Sequence, residues 1–151
     1  MDKVQVFREY TRQLECHLES INKNDCCCCS ISTAQCFAIV EIGRRPGISL
    51  KELALILHAD KSSVSRTVEE LVKGEFVKRE TAENDRRKIT LQLLPKGQAR
   101  FEKIENDMYL KFQQILSAVP EEKQESLIEA LQLFVTACEK VGENNNDNDD
   151  R

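Results

Sequence analysis

Glycine and proline are scarce in this 151-residue sequence, five and three respectively, and histidine occurs only twice. So few breakers exclude a collagenous or low-complexity chain and argue against an all-β fold. With 40% hydrophobic and 32% charged residues, the composition is that of a compact, helix-rich globular protein. No apolar run approaches the roughly 18 residues that span a bilayer. The opening residues, MDKVQVFREYTRQ, hold no apolar signal core, so a cytoplasmic location without a membrane partner is expected. Catalytic hardware is missing as well. There is no glycine loop to cradle phosphate and no nucleophile with an identifiable base, so the chain reads as a non-enzyme. At about 100–200 residues per domain, it has room for one.

Cysteine, by contrast, is abundant. There are seven, an odd number, and four of them are consecutive, Cys26 to Cys29. A reducing compartment argues against a disulfide framework. Charge is also unevenly spread. Between Arg44 and Lys103 stand 14 basic and 9 acidic residues, a net +5, whereas the remainder carries 8 basic and 17 acidic, a net −9. A basic middle between acidic ends fits a polyanion-binding module on a separate scaffold, or simply an unevenly charged solvated surface.

Periodicity organises the chain. From about Asp2 to Ile21, Val4, Phe7, Leu14, Leu18 and Ile21 share one helical face, which predicts an amphipathic helix followed by the loop NKNDCCCCSI. Ser32 with Gln35 reads as a capping box for a helix ending at Gly43, where a left-handed glycine can stop it. Ser49 with Glu52 repeats the pattern for a short helix, Leu50 to Leu57. Asp60 then caps a third helix, Lys61 to Lys73, with Val64, Val68, Leu71 and Val72 inward and Ser62, Ser63, Arg66, Thr67 and Glu70 outward; Gly74 ends it. FVKRET and KITLQL alternate as strands around a polar turn AENDRR, which predicts a hairpin. A long helix follows with Phe101, Ile104, Met108, Phe112, Ile115 and Val119. Pro120 suits the N1 position of a last helix with an apolar stripe Leu127, Leu131, Phe134, Cys138 and Val141. Cys138 is expected in the core, and GENNNDNDDR, residues 143–151 above all, as a disordered acidic tail.

Helix, tight turn, helix and hairpin is the order of a winged helix-turn-helix. The fold class expected is mainly α with a small β-hairpin wing, flanked by N- and C-terminal dimerisation helices. In such a module the second helix enters the major groove. Lys61, Ser62, Ser63, Arg66 and Thr67 are small or cationic side chains able to approach bases and phosphates, with Arg66 suited to a bidentate contact with guanine. Arg86, Arg87 and Lys88 sit where a wing tip would reach a minor groove, and Asp85 is placed to hold an arginine fork. An ordinary surface helix and a plain charged turn are the bland alternatives.

The run from Ser49 to Gln98 resembles the MarR family of transcriptional regulators. The residues that carry the likeness are the helix-turn-helix, LVKGEFVKR, the D-x-R of Asp85-Arg86-Arg87, and L-L-P-K-G before the long helix, where the family commonly shows L-T-x-x-G. The resemblance implies one domain over residues 1–142. Residues 32–94 would be its DNA-binding part, and residues 1–25 and 95–142 its dimerisation helices. It also implies a homodimer on a pseudopalindromic double-stranded operator, typically a repressor released by a ligand, metal or oxidant. Arg87 would be the minor-groove residue and Asp85 its orienting partner.

The cysteines admit three readings. Thiolates from Cys26, Cys27, Cys28, Cys29 and Cys36, with His17, suit a soft metal such as zinc, copper(I) or arsenic(III). A redox switch would use one low-pKa cysteine: Cys36 near a helix N-terminus, or Cys16, which resembles in position the peroxide-sensing cysteine of some MarR relatives. Structural cysteines in a regulator that answers a small molecule are the third. No cofactor beyond such a metal is expected. A cysteine-rich metal-binding module is the reading from another class, and it would need neither wing nor basic middle.

Overall fold

The computed structural model describes residues 1–26 and 31–149. Its elements run α1 (Lys3–Cys26), α2 (Thr33–Arg44), β1 (Ile48–Ser49), α3 (Leu50–Ile56), α4 (Lys61–Lys73), β2 (Val77–Ala82), β3 (Asp85–Leu93), α5 (Pro95–Ser117) and α6 (Glu121–Asp149). Two compact units divide them, one ending at Asp107 and the other beginning at Met108.

Three side chains start α2, α3 and α4 of the first unit, as Asp2, which accepts from the Gln5 N–H, starts α1. Both capping boxes form: Ser32 accepts from the Gln35 N–H while the Gln35 side chain returns to Ser32, and Ser49 and Glu52 do the same for α3. Asp60 caps α4 by accepting from the Ser63 N–H. Satisfying these otherwise orphaned donors is worth about 1 kcal/mol per cap. The core then closes over Ile39 and Ile42 of α2, Leu53 of α3, Val68 and Leu71 of α4, Val77 of β2 and Leu91 of β3, all fully buried. Each contributes roughly 1.5–3 kcal/mol by leaving water.

The sheet has three strands in the order β1-β3-β2, all antiparallel. The two-residue strand β1, unforeseen because it is too short to alternate, pairs Ile48 with Leu91 and Ser49 with Thr90. The hairpin is tighter than the sequence suggests. Its loop is only Glu83-Asn84, so Asp85, Arg86 and Arg87 belong to β3 rather than to the turn, with an irregularity at Thr81/Ala82.

Glycine works differently from expectation. Gly43 does not stop α2 but lies inside it, because the Phe101 ring of α5 packs there; a Cβ would fall 2.5 Å from that ring. Gly74 caps α4 with φ −78°, and the left-handed residue is Glu75, at φ 63°. The Phe76 N–H then bonds to the Leu71 carbonyl and the Glu75 N–H to the Val72 carbonyl, a Schellman ending. His58, at φ 49°, ends α3 in the same way.

Two helices outrun their expected ends. Helix α1 continues past Ile21 to Cys26, supported by a 2.6 Å ion pair from Lys23 to Glu19 one turn back. In the second unit α6 passes through Gly142, whose φ is not positive, and runs to Asp149, where an unstructured tail was expected from residue 143. Gln124 secures the turn into α6 by donating to the Leu116 and Val119 carbonyls. Cys138, expected in the core, is exposed, and so are Leu127, Leu131 and Val141 on the same stripe. The stripe is apolar and only partly covered: Phe134 on it is half-buried, whereas Val141 is 62% exposed.

Candidate nucleic-acid interface

The first turn of α4 is locked before it can meet any ligand. Asp60 accepts from the Ser63 N–H at 3.0 Å and from the Ser63 hydroxyl at 2.7 Å. Those bonds, the hydroxyl's first, hold the Asp60 carboxyl below the usual carboxylate range. The Thr67 hydroxyl donates to the Ser63 carbonyl at 3.1 Å. Ser63 and Thr67, both candidate base readers, therefore spend their hydroxyl protons inside the helix and keep only acceptor capacity outward. Ser62 and Arg66 are exposed on the face opposite the buried Val64 and Val68, and Lys61 is exposed at the helix start. Glu69, Glu70 and Lys73 share that side, so its charges balance.

The wing is clamped at its root. The Leu94 N–H donates to the Phe76 carbonyl at 2.9 Å, and Lys96 Nζ donates to the Gly74 carbonyl at 2.8 Å while sitting 4.3 Å from the centre of the Phe76 ring. Gly97 lies so close to the Phe76 carbonyl that a Cβ there would be 2.0 Å from its oxygen. At the tip, Asp85, Arg86, Arg87 and Lys88 are all exposed. Asp85 holds its arginine by a route the sequence did not suggest: Oδ1 accepts from the backbone N–H of Arg87 at 2.9 Å, not from the guanidinium. The carboxylate thus sets the strand at Arg87 and leaves the fork unbound. Lys88 stands near Glu52 of α3, whose carboxyl is held low first by the Ser49 backbone bond and, more weakly, by the Lys88 charge.

The fold is matched by known proteins. The profile of the MarR family matches residues 30–88. The HTH-type transcriptional regulator BilQ of Clostridium symbiosum is 34% identical over 102 residues, covering 68% of this chain and 71% of its own. The chain belongs to the MarR family. Among solved structures, Streptococcus pneumoniae FabT in complex with DNA superposes with a TM-score of 0.84 at 19% identity, over 92% of this chain and 99% of that one. A MarR protein from Peptoclostridium difficile gives 0.81 at 21% identity, over 93% and 90%. This MarR-family chain is thus a transcriptional regulator of winged-helix type.

Among the described residues of this MarR-family protein, Cys16, Cys36 and Cys138 stand apart. Cys16 and His17 are exposed on α1, whereas Cys36 is buried in the core cluster with Ile31 and Ile39. Burial removes Cys36 from the accessible, cationic setting in which reactive thiols are found. Cys26 is the last residue of α1, and Cys27, Cys28 and Cys29 lie outside the described residues. Among the described residues no three His, Cys, Asp or Glu side chains are grouped to hold a metal ion, and no helix is long and apolar enough to cross a membrane.

Two links escaped the sequence reading. Gln35 Nε2 donates to Glu70 Oε2 of α4 at 2.8 Å, and Arg44 joins Glu105 of α5 at 2.9 Å. Gln35 was visible as a cap partner, but a carboxamide has a second end, and its target 35 residues away leaves no mark in local spacing.

Proposed function

We propose that the protein is a homodimeric repressor that binds a pseudopalindromic double-stranded operator, with α4 in the major groove and the β2-β3 tip in the minor groove. The observation that supports this most is a set of exposed cations in the first unit: Lys61 and Arg66 on α4, with Arg86 and Arg87 on the wing, none of them paired with a carboxylate among the described residues. FabT, whose fold this chain shares, was crystallised with DNA. Under this reading, Arg66 contacts a base edge, Lys61 a phosphate and Arg87 the minor groove, with Asp85 fixing the strand beneath it. Homodimerisation accounts for the apolar side chains left bare on a single copy: Val4 and Phe7 on α1, 74% and 55% exposed, and Leu131 and Val141 on α6, 43% and 62% exposed. Faces of this kind need a partner, and two-fold DNA symmetry favours a second copy. Fluorescence anisotropy with duplexes enriched from random DNA, run across a salt series, tests the reading. Expected is dimer-dependent binding that weakens linearly in log salt. A monomer in sedimentation, or no preference for any duplex, refutes it.

The effector reading is that a soft metal or an oxidant acts on Cys26–Cys29, with Cys16 and His17 nearby in sequence, and alters the spacing of the two recognition helices. Half-sites one turn apart, about 34–36 Å, make affinity sensitive to that spacing. Zn²⁺, As(III) or a thiol oxidant should then change operator affinity at least about fivefold. Serine at all four positions should abolish the change and spare basal binding. A full response in that variant would favour the second reading, a small-molecule-responsive regulator with structural cysteines. The burial of Cys36 speaks for that reading at its own position.

A further inference from the structure

Arg66 has two acids on its own side of α4, Glu69 three residues on and Glu70 four residues on. Side chains at these spacings meet on a helix surface, and an arginine there ordinarily pairs with one of them. In this structure neither carboxylate goes to Arg66. Glu69 Oε1 is taken by Lys73 Nζ at 3.5 Å, and Glu70 Oε2 by Gln35 Nε2 at 2.8 Å. Among the described residues the Arg66 guanidinium has no ion pair and no side-chain hydrogen bond.

The two diversions differ in strength. Lys73 and Glu69 are both well exposed, and a pair of that kind holds loosely. Gln35 is half-buried at the first turn of α2 and fixed at its other end. Its Oε1 accepts from the Ser32 N–H at 2.8 Å and its own N–H donates to Ser32 Oγ at 3.2 Å. With Oε1 committed to the cap, the carboxamide cannot flip without losing both bonds. Nε2 is therefore aimed at α4, and the nearest acceptor it finds is the carboxylate one turn behind Arg66.

We propose that Gln35 is a positioning residue for DNA recognition: it holds the Glu70 carboxylate away from Arg66 and so keeps the guanidinium available to DNA. This rests on the reading of Arg66 as a DNA contact. The mechanism is a competition. Without the Gln35 amide, Glu70 turns to its neighbour four residues back, and DNA must displace a carboxylate before Arg66 can reach a base.

A double-mutant cycle on operator affinity, measured with the full chain at one salt concentration, tests it. Gln35→Ala should weaken binding about threefold, the scale of an exposed ion pair. Glu70→Gln alone removes one negative charge near DNA and should strengthen binding about twofold, whereas in the Gln35→Ala background it should strengthen it about sixfold, because it also removes the competitor. In an Arg66→Ala background, Gln35→Ala should change nothing. Ser32→Ala gives the control for a weakened helix start: a lower urea midpoint with affinity within about twofold of wild type. Should Gln35→Ala fold poorly, Gln35→Glu keeps the acceptor for the Ser32 N–H and denies Glu70 its donor; apart from a loss from its added charge that does not depend on Arg66, Glu70→Gln should again gain more in this background than in wild type. Equal gains from Glu70→Gln in both backgrounds, or a full Gln35→Ala loss persisting without Arg66, overturns the proposal. A wild-type protein that binds no duplex refutes the DNA reading itself, while wild-type binding with a flat cycle refutes only this role of Gln35.

Discussion

Replacing Gly97 by alanine should be the most damaging small change in the molecule. A Cβ at this position would lie 2.0 Å from the Phe76 carbonyl oxygen, 3.0 Å from its carbon and 3.2 Å from a Leu93 methyl. Ordinary contact begins near 3.4 Å, so α5 and the root of β2 must separate by about 1.4 Å at this point, and the obstacle is backbone that cannot rotate aside. Overpacking of this kind costs about 1–3 kcal/mol. The same displacement strains the Leu94 N–H bond to the Phe76 carbonyl and the Lys96 bond to the Gly74 carbonyl, at about 1 kcal/mol each. Against this stands at most about 1 kcal/mol of improved helix propensity. The balance is a loss of about 3 kcal/mol, a large share of the roughly 5–15 kcal/mol that holds a domain together. Urea unfolding at a single protein concentration measures it. Gly142→Ala is the internal control: no atom lies within 4 Å of its added methyl, so it should stabilise α6 by about 0.5–1 kcal/mol. Opposite signs for the two substitutions are required; shifts in the same direction would refute the packing of α5 against the wing root.

Four other outcomes are expected. Arg87→Ala should weaken operator binding by about 1–3 kcal/mol with an unchanged circular-dichroism spectrum; Asp85→Ala should weaken it too, but Asp85→Asn, which keeps an acceptor for the Arg87 N–H, should stay near wild type in anisotropy titrations. Arg66→Ala should narrow the gap between operator and random DNA, whereas Lys61→Ala should weaken both alike, and equal behaviour would make Arg66 a backbone contact. Glu75→Gly removes a side chain from a left-handed backbone at φ 63° and should raise stability by about 0.5–1 kcal/mol net of the added freedom of the unfolded chain, as read by thermal unfolding. Asp60 titrates lower when folded, so its contribution is complete above its unfolded value near 4 and is lost as pH falls through the lower folded one. Asp60→Asn should keep the cap and remove that part of the acid sensitivity in a pH series of urea midpoints.

What could be read from the sequence was what repeats or sits at short fixed spacing. The caps Ser32, Ser49 and Asp60 announce themselves because the partner is three residues on, and all three bond as that spacing demands. The outward face of α4 followed from the inward one, since Val64, Val68 and Leu71 leave Arg66 only one side of the helix to occupy. Glycine was misread at Gly43 for a physical reason. A glycine near a helix end looks alike whether it turns left-handed or makes room for a distant ring, and only Phe101, 58 residues away, tells the two apart. The end of α6 was misread because weak helix formers such as Asn and Asp lower propensity without imposing a stop, and no proline follows Gly142.

The same limit explains why the proposed interface could be read from the sequence by residue type and not by the state of each side chain. Composition placed arginines on α4 and on the wing, yet whether an arginine is available to DNA depends on where its neighbouring carboxylates are bound. For Arg87 that is settled by a bond from Asp85 to the backbone, which leaves the guanidinium outside the pair. For Arg66 it is settled by Gln35 and Lys73, one far away in sequence and one a turn beyond the acid it holds. In both places an acid stands within reach of the arginine, and in both it is spent elsewhere. A surface meant to pair with phosphate and guanine must keep its cations out of internal ion pairs. The charge count of the first unit matters less than the fact that these acids are already engaged.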